Sequence, residues 1–215
     1  MSSSTVRHIS ESPSNLEIEN VIWGNGLKTI AGVDEAGCGP LAGPVVAAAV
    51  VFPQNYYTPD IKDSKKLSAV RREELYEEII NHVLAYGVGV VHHYEIDRIN
   101  IRQATFKAMR KALGNLKIQP DYILFDGYEL PEKIFRQEAV INGDSHSFTI
   151  AGASIVAKVT RDRLMLDYHQ KYPQYGFRQH KGYGTAFHRE MLKKYGPCPI
   201  HRRSFLKRIL ENRNL

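Results

Sequence analysis

The chain predicts an α/β protein: a mixed central β-sheet flanked by helices, ending in a helical, basic C-terminal element. Three observations predict it. Strand-like apolar runs come first, and helical periodicity then alternates with short strands, the order of one sheet with helices packed on it. The run from Val45 to Phe52 is apolar at every position, so both its faces should be buried. A chain of 215 residues with 43% hydrophobic side chains suits one domain with a real core.

Residues 1 to about 22 are rich in Ser, Asn and Glu and read as a loose tail that partly docks near Trp23. Thr29 to Glu35 and Pro44 to Phe52 read as two strands. The turn between them, Gly37 to Gly43, is short enough for a hairpin. Ser68 can cap a helix whose first turn holds Glu73 and Glu74, with Leu75, Ile79 and Val83 on its apolar face. Gly87 to His93 suggests a third strand. Ile96 to about Leu113 then predicts one amphipathic helix, with Ile101, Thr105 and Met109 along one side. Tyr122 to Asp126 reads as a short strand, and Val140-Ile141 as part of another. Ala151 to about Tyr168 predicts a helix with Ile155, Val159 and Leu166 inward. Thr185 to Tyr195 and Arg203 to Arg213 carry weaker helical patterns.

The net charge of +6 is unevenly placed. From Arg178 to Leu215 there are ten Lys/Arg against two Asp/Glu, a local net of +8 that leaves −2 for everything before it. Such a run is either a solvated helix surface or a face that meets phosphates. Only two cysteines occur, Cys38 and Cys198, without metal-ligand spacing or a disulfide framework. The first residues lack an apolar signal core, and Val45 to Phe52 is too short to span a bilayer. A cytoplasmic, membrane-free setting is the expectation.

Four acids concentrate the chemistry. Asp34 and Glu35 end the first strand beside Gly37 and Gly39, Asp126 ends the run Tyr122-Ile-Leu-Phe-Asp, and Asp144 sits in Asn142-Gly-Asp-Ser145. An acid straight after a buried strand is costly unless its charge is compensated. Neighbours on a flat strand point to opposite faces, so Asp34 and Glu35 can share a site only if the strand end twists and the longer Glu arm reaches round the edge. Two divalent ions about 4 Å apart clamp the attacking and leaving oxygens of a phosphoryl displacement, and oxygen-only ligands favour Mg²⁺ or Mn²⁺. Taken singly, each acid also has a plain structural reading as a turn or cap residue. A carboxylate pair could also serve glycoside hydrolysis, which the basic C-terminal segment argues against.

At this point the sequence resembles a known family. Gly32-Val-Asp-Glu-Ala-Gly-Cys-Gly-Pro-Leu-Ala-Gly-Pro-Val-Val-Ala-Ala-Ala-Val50 is similar to the first motif of bacterial ribonuclease HII. So are Asp63-Ser-Lys-Lys-Leu-Ser68, Phe125-Asp-Gly127, Asn142-Gly-Asp-Ser145, Ala153-Ser-Ile-Val-Ala-Lys-Val-Thr-Arg-Asp162 and His180-Lys-Gly-Tyr-Gly-Thr185, in order from about residue 28 to 206. A type HIII relative would carry an extra N-terminal domain, which 27 residues do not supply. The resemblance implies a ribonuclease H-like fold: a tail at 1–27, a catalytic domain at 28–198, and a basic helical extension at 199–215 packed on the same domain.

It implies an endonuclease acting on RNA in RNA/DNA hybrids and on single ribonucleotides within duplex DNA, leaving 3′-hydroxyl and 5′-phosphate ends. By resemblance, Asp34, Glu35, Asp126 and Asp144 hold two Mg²⁺ or Mn²⁺ ions. Asp34 would be shared, Asp144 would serve the ion at the attacking water, and Glu35 and Asp126 the ion at the leaving oxygen. Nucleic acid is the expected partner, and a monomer the expected state. Gly37, Cys38 and Gly39 would approach the ribose through their backbone, where a 2′-hydroxyl distinguishes RNA from DNA. The family commonly has Gly-Arg-Gly here, so Cys38 removes a guanidinium. Tyr183 would pack on the neighbouring deoxyribose, and Lys65, Arg202 and Arg203 would touch phosphates. Ser154 and Lys158 read as supporting residues, Arg161 and Asp162 as a helical pair, and His180 as a proton shuttle or a surface histidine.

Other readings of the same residues are a junction resolvase of similar fold, which would also cut all-DNA substrates, and a non-catalytic duplex-binding module with a structural cation.

Overall fold

The computed structural model describes residues 15–61, 67–132 and 135–211, without side chains for 208–211. A helix α1 (Glu17–Gly24) leads into β1 (Ile30–Ala36), β2 (Val45–Val51), α2 (Ala69–His82) and β3 (Ala85–Val91). Two helices follow, α3 (His93–Ile99) and α4 (Ile101–Gly114), then β4 (Tyr122–Asp126) and β5 (Gln137–Val140). The rest is helical: α5 (Gly143–His146), α6 (Phe148–Lys171), α7 (Phe177–His180), α8 (Ala186–Tyr195) and α9 (Arg203–Glu211). The five strands form one sheet in the order β3-β2-β1-β4-β5. β1 and β3 each run antiparallel to β2, whereas β4 and β5 run parallel to β1, so the sheet is mixed as predicted.

Strand alternation decides what each helix covers. In β2, Val45, Ala47, Ala49 and Val51 face one side and join a core with Ala104, Ala108, Met109 and Ala112 of α4. Ala48 and Val50 face the other side and pack with Ala151, Ile155 and Val159 of α6. Both faces are closed, which explains why this strand has no polar alternation. In β1, Ala31 and Val33 look toward α4. Gly32 looks toward α6, and a Cβ there would lie 2.1 Å from the carbonyl carbon of Thr149. Without a side chain at this point, α6 lies directly on the strand that carries the first acids.

Three readings are corrected. The stretch read as a loose tail holds α1, because Glu19 is fully buried and caps the start of α6. Its Oε1 accepts from Ser147 Oγ at 2.6 Å, Thr149 N at 2.9 Å and Thr149 Oγ1 at 2.9 Å. A carboxylate at a helix N-terminus also meets the positive end of the helix dipole. The single helix read over 96–113 is two. Asn100 takes a left-handed φ of 65° and its side chain accepts from Gln103 N, which starts α4 afresh. Finally, α6 begins at Phe148, three residues before the expected start, with Ser147 as its N-cap.

The C-terminal segment closes around the end of α6. Met165, Tyr175, Phe177, Leu192, Cys198, Ile200 and Leu206 form one buried cluster with Ala42 of the β1–β2 turn. An isolated bridge between Ala42 and His201 ties that turn to the approach to α9. Among the described residues no helix is long and apolar enough to cross a membrane.

Candidate active site

The end of β1 opens into a cleft of about 300 Å³. Its walls carry Asp34, Glu35 and Asp126 together with Gly37, Cys38, Gly39 and Tyr183. Asp126 arrives because β4 lies parallel beside β1, with Phe125 opposite Val33. Asp34 shares the α6 face with Gly32 and is hydrogen-bonded by Ser154 of α6. Glu35 leaves on the α4 face, where Cys38 Sγ donates to its Oε1 at 3.4 Å and stands 3.3 Å from Thr105 Oγ1. The two neighbouring acids thus take opposite faces of the strand and meet at its end.

The acids are held by nearby donors. Glu35 N–H donates to Asp34 Oδ1 at 2.6 Å, and Gly143 N–H donates to Asp126 Oδ1 at 2.7 Å. Asp144, the next residue, is buried at the start of α5 and is not on the cleft wall. Gly143, immediately before it, bonds Asp126, and a Cβ there would come within 3.3 Å of Asp126 Oδ1. Burial, then the charges of Glu35 and Asp126, hold the Asp34 carboxyl well above its usual range. The Cys38 thiol is pushed up to about 12 by burial and Glu35, so at neutral pH it is a protonated donor. Tyr128 is raised in the same way, by burial and then Glu35.

Among the described residues no three His, Cys, Asp or Glu side chains are drawn together closely enough to hold an ion. The donor chemistry nevertheless fits one. All the acids offer hard oxygens, and Asp34 is penalised by its two neighbours in a way a divalent cation would relieve.

Several residues sit elsewhere than the sequence predicts. Arg202 is fully buried rather than displayed to phosphates. Its Nε donates to Gly43 O at 3.0 Å and its two terminal nitrogens to Cys38 O at 3.0 Å and Gly37 O at 2.6 Å. Arg161 does not pair with Asp162; it is 1% exposed and donates to Pro44 O at 2.9 Å and Ala42 O at 3.2 Å. Asp162 instead accepts from Lys158 Nζ at 2.7 Å. Burial and then the Arg161 charge pull the Arg202 guanidinium down to about 9. Both ring nitrogens of His180 have partners: Nε2 donates to Tyr175 O at 2.7 Å and Nδ1 accepts from Gly182 N–H at 3.2 Å. Arg203 is exposed, and its backbone N–H donates to Asp97 Oδ2 at 2.8 Å. Tyr183, 46% exposed, stands over the turn, with a Cβ at Gly39 lying 3.8 Å from its Cε1. Lys65 lies outside the described residues. Arg72 and Lys158 also line the cleft, and only the absence of a motif around Arg72 hides it in the sequence. A larger hollow of about 840 Å³ near Leu113, Ile118, Ile123 and Phe135 is mainly apolar and holds no acid pair.

Residues 31–208 match the ribonuclease HII family. The ribonuclease HII of Caldicellulosiruptor bescii is 54% identical over 202 residues, covering 94% of this chain and 98% of that protein. That of Geobacter metallireducens is 56% identical over 187 residues, covering 87% and 88%. Among solved structures, the ribonuclease H2 from Pyrococcus horikoshii superposes with a TM-score of 0.72 at 30% identity, over 86% of this chain and 98% of that one.

Proposed function

From the premise that this chain belongs to the ribonuclease HII family, we propose that it cuts the RNA strand of RNA/DNA hybrids and single ribonucleotides embedded in duplex DNA. Membership makes it a metal-dependent hydrolase of the ribonuclease H type. The observation that carries the finer reading is one cleft lined by three carboxylates, the glycine turn and Tyr183. A phosphodiester laid on the acids would there place its sugar against backbone that has no side chains to keep it off.

Asp34, Glu35, Asp126 and Asp144 are the residues that would hold two Mg²⁺ or Mn²⁺ ions. Bound there, such ions supply an activated water and charge neutralisation at the leaving oxygen. The chain's own part is to fix the acids before substrate arrives. Ser154 and the Glu35 N–H orient Asp34, the Gly143 N–H orients Asp126, and the Cys38 thiol steadies Glu35. Cys38, a thiol rather than an arginine, leaves phosphate contact on this side to other cations on the wall, Arg72 and Lys158.

The products are a 3′-hydroxyl and a 5′-phosphate, and the enzyme is a cytoplasmic monomer acting on nucleic acid. The test is cleavage of three duplexes, all-DNA, DNA with one ribonucleotide, and an RNA/DNA hybrid, with Mg²⁺ or Mn²⁺. Cutting of the last two and sparing of the first is expected. Comparable cutting of all-DNA duplex would favour a resolvase-like activity instead.

A further inference from the structure

The turn between β1 and β2 is held by two buried guanidiniums, of which Arg161 also lines the cleft and Arg202 does not. Arg202, just before α9, bonds the carbonyls of Gly37, Cys38 and Gly43, and Arg161, on α6, bonds those of Ala42 and Pro44. All of these bonds end on backbone oxygens of the single connection 37–44. Both side chains are essentially without solvent exposure. Backbone bonds from Gly43 N to Ile200 O and from Arg202 N to Leu41 O fix the same two segments to each other at 2.9 Å.

A trans peptide is planar, with its C=O and N–H pointing in opposite directions. Pinning Gly37 O and Cys38 O inward on Arg202 therefore turns the N–H groups of Cys38 and Gly39 outward, on the side where residues 37–39 line the cleft. Among the described residues neither N–H has a backbone acceptor. Arg161 reaches the second half of the sugar-facing wall as well: its Cζ lies 6.0 Å from the centre of the Tyr183 ring. Gly37 fits this arrangement because its φ of +98° is in the left-handed region and a Cβ there would collide with Arg161 Nε.

We infer that Arg202, assisted by Arg161, is a positioning residue for substrate choice, aiming the Cys38 and Gly39 N–H groups at the ribose 2′-hydroxyl. This rests on the ribonucleotide reading of the cleft. A lysine cannot replace the fork, because one ammonium on a flexible stem cannot span three carbonyls in a plane.

The test measures binding in EDTA, where no turnover occurs, to an all-DNA duplex and to the same duplex with one ribonucleotide. For R202K, with folding checked by circular dichroism, the ribonucleotide preference should fall by about fivefold to tenfold, the scale of one or two misaimed hydrogen bonds. Affinity for the all-DNA duplex should stay within about twofold, since backbone phosphates are met elsewhere. A folded R202K that keeps the wild-type preference overturns the inference. If R202K does not fold, the unsubstituted protein decides: hydrogen exchange at the Cys38 and Gly39 amides should slow with the ribonucleotide duplex and not with the all-DNA one. Equal exchange with both overturns the inference even when the wild type cuts only the ribonucleotide duplex. A wild type that cuts neither ribonucleotide substrate removes the functional reading and this inference together.

Discussion

Asp34 sits in an environment at odds with its charge. Buried, and facing Glu35 and Asp126, its carboxyl is raised well above the usual range, so in metal-free protein its ionised form is destabilising. The sign follows from linkage: the stability this group contributes is complete below its unfolded value near 3.8 and is lost as pH rises through the folded value. Asp34→Asn, which keeps an oxygen for the Glu35 N–H, should therefore abolish cleavage yet melt at or above the wild type in EDTA at neutral pH. Divalent metal should then raise the wild-type melting point more than the variant's. A variant that turns over normally, or melts well below wild type in EDTA, would remove Asp34 from the site. That Asp34, Glu35 and Asp126 stand at strand ends on one cleft is legible in the sequence, because each apolar run stops at an acid shortly before a glycine. The positions of Arg161 and Arg202 are not, because an arginine reads alike in the sequence whether its side chain faces water or backbone. What separates them is burial, which depends on the turn 37–44 lying against α6 and the approach to α9.

At the scale of elements, the sequence is plain where caps and periodicity agree. Ser68 does cap α2, accepting from Arg71 N at 3.1 Å, and β2 is covered on both sides. It misleads where a single residue decides: Asn100 divides one periodic stretch into two helices, and Glu19 makes a helix of a polar segment by docking on α6. The link between α8 and the segment before α9 is equally hidden, since it depends on histidines 13 residues apart. His188 Nδ1 donates to Tyr183 O at 2.8 Å, and its Nε2 accepts from His201 Nε2 at 2.9 Å. His201 Nδ1 in turn accepts from Cys198 N–H at 3.0 Å. With both rings neutral, every ring nitrogen is matched. Burial pulls His188 down to about 4 and His201 down to about 3. Unfolded histidines take up protons near pH 6.5, so below that value the unfolded state gains protons that the folded pair refuses. Stability should fall as pH drops from 6.5 toward 4, by up to about 1.4 kcal/mol per pH unit for each histidine. Urea midpoints at pH 7, 6 and 5 check this. H201Q, which retains a donor for His188, should show a shallower decline, and an identical slope in both proteins would refute the account.

Across the whole molecule, charge is divided by role. Asp34, Glu35 and Asp126 gather where β1 and β4 end, while the last fifth of the chain carries a net of +8. That excess is itself of two kinds. Arg202 is interior and shapes the turn; Arg203 and Lys207 are exposed on α9, on the surface of the same lobe. Buried charge fixes geometry, whereas exposed charge attracts phosphates through counterion release and carries no information about the sugar. The two kinds should separate on one instrument. Arg203→Ala combined with Lys207→Ala should weaken binding to all-DNA and ribonucleotide duplexes by the same factor. The slope of log affinity against log salt should drop by about one for each phosphate that is no longer neutralised. Preference for the ribonucleotide should be untouched, the reverse of what R202K does. Titrations of both duplexes from low to physiological salt measure slope and preference together. An unchanged slope would place the duplex on another face of the molecule, and the basic excess of this lobe would then be a solvated helix surface.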